Sequence, residues 1–266
     1  MSADYRAMLN QRLTPKPTGG LDVLSDLQHF ALINYALPKA RLERYIPSQY
    51  FEIPEFNIGG KPMALMSAVP FVDVDFHFLH LSPFLKFHFG QTNYRVYVID
   101  KRTCEHAVWF FGTTLGSIVV AIPKFVWRIP WHYARYDVDC QYDQSQQRYT
   151  HYYYHVKSSW ANARIELEDT GRSLEIVEGF DSLDAVKFII THPLAGYFYR
   201  SDRRLGTYSV WHDEINCTMG KPRDLYFGLY ERLGLLSREE MQQPHSIFIS
   251  PLTKFTVFLP PRKYLL

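Results

Sequence analysis

The segment Gln91-Thr-Asn-Tyr-Arg-Val-Tyr-Val98 carries the clearest structural signal of the chain. Successive side chains of a β-strand point to opposite faces, and polar and apolar residues alternate here with that period. One face holds a polar row, defined as Gln91, Asn93, Arg95 and Tyr97, and the other face holds Thr92, Tyr94, Val96 and Val98. Such a polar row either faces solvent on a half-buried antiparallel strand or lines a ligand pocket.

Further strands and a few helices are predicted on both sides of this segment. Strand patterns cover residues 31–37, 63–69, 71–78, 108–111, 148–156, 163–167, 174–177 and 254–259, with turns at residues 58–61 and 169–171. Helical patterns cover residues 42–46, 113–122, 181–190 and 222–233, and Ser237-Arg-Glu-Glu240 has the composition of a capping box. The sequence therefore predicts an α+β, β-rich fold whose middle part is a meander.

The chain has the size and composition of one domain with an aromatic-rich core. Its 266 residues show no linker composition and no internal repeat, so a single domain is predicted over residues 21–266. Residues 1–20 are polar and are predicted to form a flexible N-terminal arm. Because aromatic residues make up 16% of the chain, a pocket in this domain would be lined by aromatic side chains.

Charge and cysteine usage narrow the partners and the location. The net charge of +2, with both signs interspersed, gives no basic face for nucleic acid. The most apolar stretch, residues 107–131, contains Gly, Pro, Lys and Arg, so no membrane span is expected. Three widely spaced cysteines and an N-terminus without a signal-peptide pattern predict reduced thiols and a cytoplasmic location. The expected partner is a small-molecule ligand or substrate, and homo-oligomer formation is left open.

Common catalytic motifs are missing, so the remaining catalytic candidates are single residues. The sequence contains no Gly-rich nucleotide loop, HExxH motif or GxSxG elbow, and no cofactor is predicted. His132 and His212 are candidates for proton transfer because imidazole titrates near neutral pH, and the alternative for each is a packed, hydrogen-bonded ring. Lys124 lies among apolar residues, where desolvation can lower the pKa of its amine and permit a Schiff base; the alternative is a lysine that reaches solvent.

A metal site is a further candidate. Asp73, Asp75 and His77 fall on one face of the predicted strand over residues 71–78. Side chains two residues apart on a strand are roughly 7 Å apart, so neighbours could share one ion. A solvated polar face explains the same pattern, and we therefore predict no metal ligands.

Several segments together resemble a known family. They are Gln91–Val98, Val108-Trp-Phe-Phe111, Ile129-Pro-Trp-His-Tyr-Ala134, Asp181-Ser-Leu183 and Val210-Trp-His212. In this combination the sequence, from about Leu27 onward, resembles the YqjF-like uncharacterised family, which is similar in fold to acetoacetate decarboxylase. The resemblance implies an acetoacetate-decarboxylase-like curved antiparallel sheet or barrel with peripheral helices. It also implies that the polar row faces an enclosed pocket.

The resemblance further implies that the superfamily's best-known reaction is altered in this chain. Acetoacetate decarboxylase uses a lysine Schiff base from a Phe-Pro-Lys-Lys corner. The best match is Ile129-Pro-Trp-His132, which puts Trp131 and His132 at the lysine positions, whereas the register Ile122-Pro-Lys-Phe125 keeps Lys124. The pocket glutamate of the decarboxylase falls at Gln91, an amide that cannot act as a general base.

The sequence therefore predicts a small-molecule enzyme of lyase, hydratase or isomerase type, acting on a carbonyl or carboxylate compound without a lysine Schiff base. The predicted substrate-binding residues are Gln91, Asn93, Arg95, Tyr97 and Trp131, and the candidate catalytic residues are His132, His212 and Lys124. Arg95 would bind the acid, with Asn93 and Tyr97 orienting it. Two alternatives stay open: a non-catalytic protein that binds an apolar aromatic or acyl ligand, and a Schiff-base decarboxylase that uses Lys124.

Overall fold

Strands dominate the computed structural model, which describes residues 4–19, 21–80, 84–117 and 128–264. The strands of the described residues are β1 (Val23–Leu37), β2 (Phe51–Glu52), β3 (Phe56–Ile58), β4 (Lys61–Phe78), β5 (Phe87–Asp100), β6 (Glu105–Leu115), β7 (Trp131–Tyr133), β8 (Arg135–Asp143), β9 (Arg148–Lys157), β10 (Ala163–Ser173), β11 (Ala195–Tyr199), β12 (Leu205–His212), β13 (Thr218–Phe227) and β14 (Ser246–Lys263). The helices are short, so the predicted β-rich class is confirmed.

Seven of these strands close into a barrel. Their order is β1-β4-β5-β6-β11-β12-β14, and β1 pairs with β14 to complete the circle. Neighbours run antiparallel except for β6 and β11, which are parallel. The predicted barrel is therefore confirmed, and closure leaves no open edge among these seven strands.

A second layer of strands covers one side of the barrel. Beyond β14 the sheet continues through β13, β10 and β9 to β8. Tyr94 and Val96 of β5 belong to the same buried cluster as Tyr152 and Tyr154 of β9. The opposite face of β5 contributes Tyr97 to a separate cluster inside the barrel. The two faces of β5 thus contribute to two separate buried clusters.

Short helices lie at the periphery. They are α1 (Tyr5–Leu13), α2 (Ala40–Glu43), α3 (Leu183–Val186), which continues as a π-helix (Lys187–Thr191), α4 (Gly228–Arg232) and α5 (Arg238–Met241). The capping box at Ser237 and Glu240 forms as predicted and begins α5. No helix among the described residues is long and apolar enough to cross a membrane.

Residues 4–19, the described part of the predicted flexible arm, contain helix α1, which packs on the molecule. The side chain of Asp4 accepts a hydrogen bond from the Ala7 backbone amide and caps the helix. Leu9 is fully buried. The guanidinium of Arg12 donates hydrogen bonds to backbone carbonyls of the π-helix and its C-terminal end. These anchors hold a segment whose composition is mostly polar.

Three local predictions are wrong. Residues 222–227 belong to β13 rather than to a helix, and only Leu229 of the predicted leucine spacing lies in α4. Thr113 and Thr114, the first residues of the predicted helical pattern over residues 113–122, lie in β6, and residues 118–122 lie outside the described residues. Residues 169–171 lie within β10, and residues 174–177 form no strand. For residues 113–115 and 222–227, pairing with β5 and β10 overrides the local helical pattern.

Candidate functional site

The barrel encloses a cavity of about 110 Å³ to which all seven barrel strands contribute. This volume is far above the roughly 10–15 Å³ that one water requires. Most of the lining is apolar and aromatic, as the composition predicts. Its polar members are Ser25, Asp73, Gln91, Asn93, Arg95, Thr191, Tyr208 and His212. An apolar chamber with few polar groups is typical of a small-molecule site.

Arg95 of the polar row is the cation of this cavity. Its Nε donates to the Ser67 hydroxyl at 2.9 Å, and its Nη2 donates to the Ile190 carbonyl at 3.3 Å. Both partners are neutral. Within the described chain no carboxylate forms an ion pair with Arg95. The guanidinium therefore stands half-buried in an apolar chamber without a counter-ion from the described residues.

Tyr97 lies next to Arg95 and fixes its position, although it is not part of the cavity lining itself. The Tyr97 hydroxyl accepts a hydrogen bond from Arg95 Nη2 at 3.3 Å and donates one to Asn34 Oδ1 at 2.9 Å. Asn34 in turn donates to the Ser246 hydroxyl at 3.1 Å. Tyr97 is 2% exposed, so this chain of hydrogen bonds is shielded from solvent.

Asn93 and Gln91 continue the polar row along the cavity wall. Asn93 Oδ1 accepts hydrogen bonds from the Thr113 hydroxyl at 2.7 Å and from Gln91 Nε2 at 3.0 Å. Because Oδ1 is engaged twice, the amide orientation is set and Nδ2 is left as a donor for a ligand. The sequence prediction that these amides line the pocket with Arg95 agrees with the cavity lining.

His212 lies in the cavity but is poorly suited to move protons. Its Nδ1 lies 2.7 Å from the Asp213 carbonyl, which can only accept, so Nδ1 carries the proton and Nε2 is unprotonated. Burial and the neighbouring His192 lower the pKa of His212 to about 3. His212 is therefore neutral at physiological pH, and Nε2 is a hydrogen-bond acceptor rather than a strong base.

Of the other two catalytic candidates, His132 is not part of the described cavity wall. Trp131 lines the cavity, and the side chain of the next strand residue, His132, points to the other face. The His132 ring stacks on Trp160 with centroids 3.9 Å apart, and a proton-transfer role for His132 stays a prediction. Lys124 lies outside the described residues.

Asp73 is a cavity residue that the sequence prediction missed, because it was considered only as a metal ligand. Its side chain is almost fully buried, and Oδ1 accepts a hydrogen bond from the Ser25 hydroxyl at 2.7 Å. Oδ2 is buried without a hydrogen-bond partner from the described residues. Burial raises the pKa of Asp73 to about 7.

The proposed grouping of Asp73 with Asp75 and His77 does not form. A β-bulge interrupts β4 after Asp73, and Asp75 adopts a left-handed conformation with φ of 57°. Asp75 turns outward and pairs with Lys86 at 2.8 Å on the surface. Among the described residues no group of three potential metal ligands is close enough to hold an ion.

The closed barrel with its internal cavity has the acetoacetate-decarboxylase-like fold, which three solved structures share. The enduracididine biosynthesis enzyme MppR, complexed with pyruvate, is similar with a TM-score of 0.59 and 13% identity, covering 94% of this chain and 91% of that one. Acetoacetate decarboxylase from Legionella pneumophila gives a TM-score of 0.56 and 12% identity, covering 97% and 95%. An acetoacetate decarboxylase-like enzyme from Sphingomonas wittichii RW1 gives 0.57 and 8%, covering 95% and 98%.

The chain belongs to the DUF2071 family, described as "Uncharacterized conserved protein (COG2071)", whose pattern matches residues 25–253. No curated protein sequence matches it. The low identities to the solved structures establish the fold alone, so the predicted similarity in fold to acetoacetate decarboxylase is confirmed. The narrower resemblance to the YqjF-like family stays a prediction.

Proposed function

We propose that this protein is a small-molecule enzyme that binds a carboxylate or carbonyl compound in the barrel, with Arg95 as the carboxylate-binding residue. The observation that carries the proposal is the guanidinium of Arg95, which lines an apolar cavity and has no ion-pair partner within the described chain. A positive charge in such surroundings is stabilised by an anion brought in with the ligand.

The neighbours of Arg95 suit this role. Two neutral oxygens hold Nε and Nη2, which leaves other N–H groups of the guanidinium to donate to a carboxylate in a forked geometry. The Asn93 amide supplies a further donor beside it. A solved structure with the same fold contains pyruvate, a small 2-oxo acid, which supports a ligand of this chemical kind.

The proposed reaction type is a lyase, hydratase or isomerase reaction without a lysine Schiff base. The cavity lining formed by described residues contains no lysine. His212 would accept a hydrogen bond from the ligand through Nε2. The three cysteines are all free, which supports the proposed cytoplasmic location.

Isothermal titration with pyruvate and longer monocarboxylates tests the binding of the acid. We expect Arg95→Gln to weaken binding by roughly 10-fold to 100-fold, because charge-assisted hydrogen bonds are lost. Arg164→Gln is the matched control, since Arg164 is an exposed surface residue paired with Asp224. Unchanged affinity in Arg95→Gln would refute the proposed role.

A non-catalytic binding protein is the second candidate, and the low basicity of His212 favours it. It predicts bound acid without turnover, which NMR spectra of the ligand recorded over time distinguish from catalysis. Borohydride reduction followed by mass spectrometry tests the remaining alternative. A reduced adduct on Lys124 would establish Schiff-base chemistry, and its absence would exclude that chemistry for the acid used.

A further inference from the structure

Asp73 and Arg95 lie at opposite ends of one wall of the cavity. Arg95 on β5 pairs with Ser67 on β4, whereas Asp73 pairs with Phe89. Asp73 is six residues further along β4 than Ser67, which is roughly 20 Å of extended strand. Both side chains line the same cavity. The cavity is therefore long, with a polar group at each end.

The wall between these ends is apolar along β4, whereas Asn93 and Gln91 on the adjoining strand β5 add polar groups to it. Val69 and Phe71 lie between Ser67 and Asp73 on the same face of β4, and both line the cavity. Phe110 and Tyr208, which stack with ring centroids 5.5 Å apart, also contribute to the lining. Such a passage favours a carbon chain, since each methylene that leaves water stabilises binding.

Asp73 forms fewer hydrogen bonds with the described residues than a buried carboxyl group normally does. The Ser25 hydroxyl donates to Oδ1, while Oδ2 is buried with no partner among the described residues. A buried polar atom without a partner destabilises the folded state. Such an atom on a cavity wall is satisfied when a ligand supplies the missing group.

The protonation of Asp73 decides which ligand group fits. Burial raises its pKa to about 7, so a large fraction of the carboxyl is protonated at neutral pH. Since Oδ1 already accepts from Ser25, the proton belongs on Oδ2. The group then donates a hydrogen bond into the cavity, and a carbonyl or hydroxyl oxygen is its natural acceptor.

We propose that the ligand is an elongated oxo or hydroxy carboxylic acid, bound by Arg95 at its carboxylate and by Asp73 at its second oxygen. The proposal rests on the proposed role of Arg95 and adds the length and the second functional group of the ligand. A chain of about ten atoms with a hydrogen bond at each end bridges a gap of this order. The apolar wall holds the carbons between the two ends.

Paired ligands test the proposal. Isothermal titration is performed with decanoate and with ω-hydroxydecanoate, which differ by one hydroxyl at the end away from the carboxylate. We expect the wild-type protein to bind the hydroxy acid about fivefold to tenfold more tightly. Asp73→Leu, which has no hydrogen-bonding group, should reduce this ratio to about one, whereas Asp73→Asn keeps a donor and should retain a preference.

Each outcome of this comparison bears on the proposal. Equal affinity of the wild-type protein for the two acids, or a preference that survives in Asp73→Leu, overturns it. Arg95→Gln should weaken both acids alike and leave their ratio unchanged, so failure of the Asp73 proposal is distinguished from failure of the Arg95 proposal. If neither acid nor pyruvate binds to the wild-type protein, both proposals fall.

Discussion

Asp73 and Arg95 are the carboxylic acid and the guanidinium that line the barrel cavity without a partner of opposite charge among the described residues. Natural proteins pair or expose most ionisable groups, because a buried charge without compensation destabilises the folded state. Groups that break this rule on a cavity wall are frequently functional. Asp73 and Arg95 are therefore the strongest candidates for ligand-binding residues in the cavity.

The stability of the protein should depend on pH through Asp73. Its pKa is raised from 3.8 to about 7 in the folded state, so between about pH 4 and pH 7 the unfolded chain loses this proton and the folded chain keeps it. The free energy of unfolding contributed by Asp73 thus falls as pH rises, by at most about 4 kcal/mol, and levels off above pH 7.

Asp73→Asn removes this titration and tests the expectation. Urea unfolding of both proteins at about pH 5 and about pH 8 should show the variant gaining stability relative to the wild type at the higher pH. All other titrating groups are shared and cancel in the difference. A difference independent of pH would show that Asp73 titrates normally.

Tyr97→Phe should loosen Arg95. The change removes the hydroxyl that accepts from Arg95 Nη2 and leaves Asn34 Oδ1 without its donor. We expect a loss of about 1–3 kcal/mol in the free energy of unfolding and weaker carboxylate binding. Tyr199→Phe is the control, because Tyr199 is 46% exposed. Equal effects of the two changes in urea unfolding and titration would argue against a positioning role for Tyr97.

For single residues, the sequence predicted one part of the cavity lining, the polar row, and missed another part, Asp73. Alternation over residues 91–98 identified the polar row, since a regular strand keeps that period. Asp73 was grouped with Asp75 and His77 by the same rule, but the bulge in β4 breaks the period after Asp73. Burial of a lone aspartate depends on its neighbours in space, which the local pattern does not contain.

The π-helix Lys187–Thr191 is the element that joins the periphery to the site. Its Ile190 carbonyl accepts from Arg95, and Thr191 lines the cavity. Helix α1 holds it from outside, because Arg12 donates to the carbonyls of Phe188 and His192 and lies 3.8 Å over the Phe188 ring. π-Helical turns often occur at functional sites, and this one orients an Arg95 partner.

Arg12→Ala should therefore destabilise the protein far more than Arg6→Ala on the same helix. Arg12 also donates to the His106 carbonyl at 2.8 Å, so its truncation leaves three carbonyls without their donor. We expect a loss of about 2–4 kcal/mol for Arg12 and less than about 1 kcal/mol for Arg6, whose ion pair with Asp184 is exposed. Urea unfolding measures both, and similar small losses would contradict the anchoring role of α1.

The sequence predicted the elements whose own residues show clear alternation or a capping box. It did not predict the elements whose structure depends on residues far away in the chain. The strands over residues 31–37, 63–69 and 148–156 and the capping box lie where alternation and composition put them. Residues 222–227 begin the predicted helical pattern over residues 222–233 but pair with β10, and the polar segment of α1 is held by distant carbonyls. Neither partner is visible in the local sequence.

The whole molecule is organised around the closure of the barrel. Closure depends on pairing β1 with β14, for example Val23 with Val257, two residues far apart in the chain. Local patterns cannot specify such a pair, and only the family resemblance predicted the barrel. Side chains do not fill the barrel interior completely. The cavity therefore lacks van der Waals contacts that would stabilise a purely structural core.

Filling the cavity should stabilise the fold and prevent binding. Val210→Phe adds volume on the cavity wall. We expect a higher melting temperature, an increase of about 0.5–2 kcal/mol in the free energy of unfolding, and loss of acid binding. Val98→Phe is the matched control, because Val98 is buried in the cluster that also contains Tyr152 and Tyr154 of β9. We expect this variant to lose about 1–3 kcal/mol in the free energy of unfolding. Destabilisation by Val210→Phe would show that this part of the barrel is already filled.

The central claim, that the barrel binds a carboxylic acid through Arg95, is tested most directly by a crystal structure determined with decanoate bound. We expect the acid to lie inside the barrel, with its carboxylate oxygens about 3 Å from the Arg95 guanidinium and its chain directed along β4 toward Asp73. An acid found outside the barrel, or inside it with the carboxylate away from Arg95, would contradict the claim.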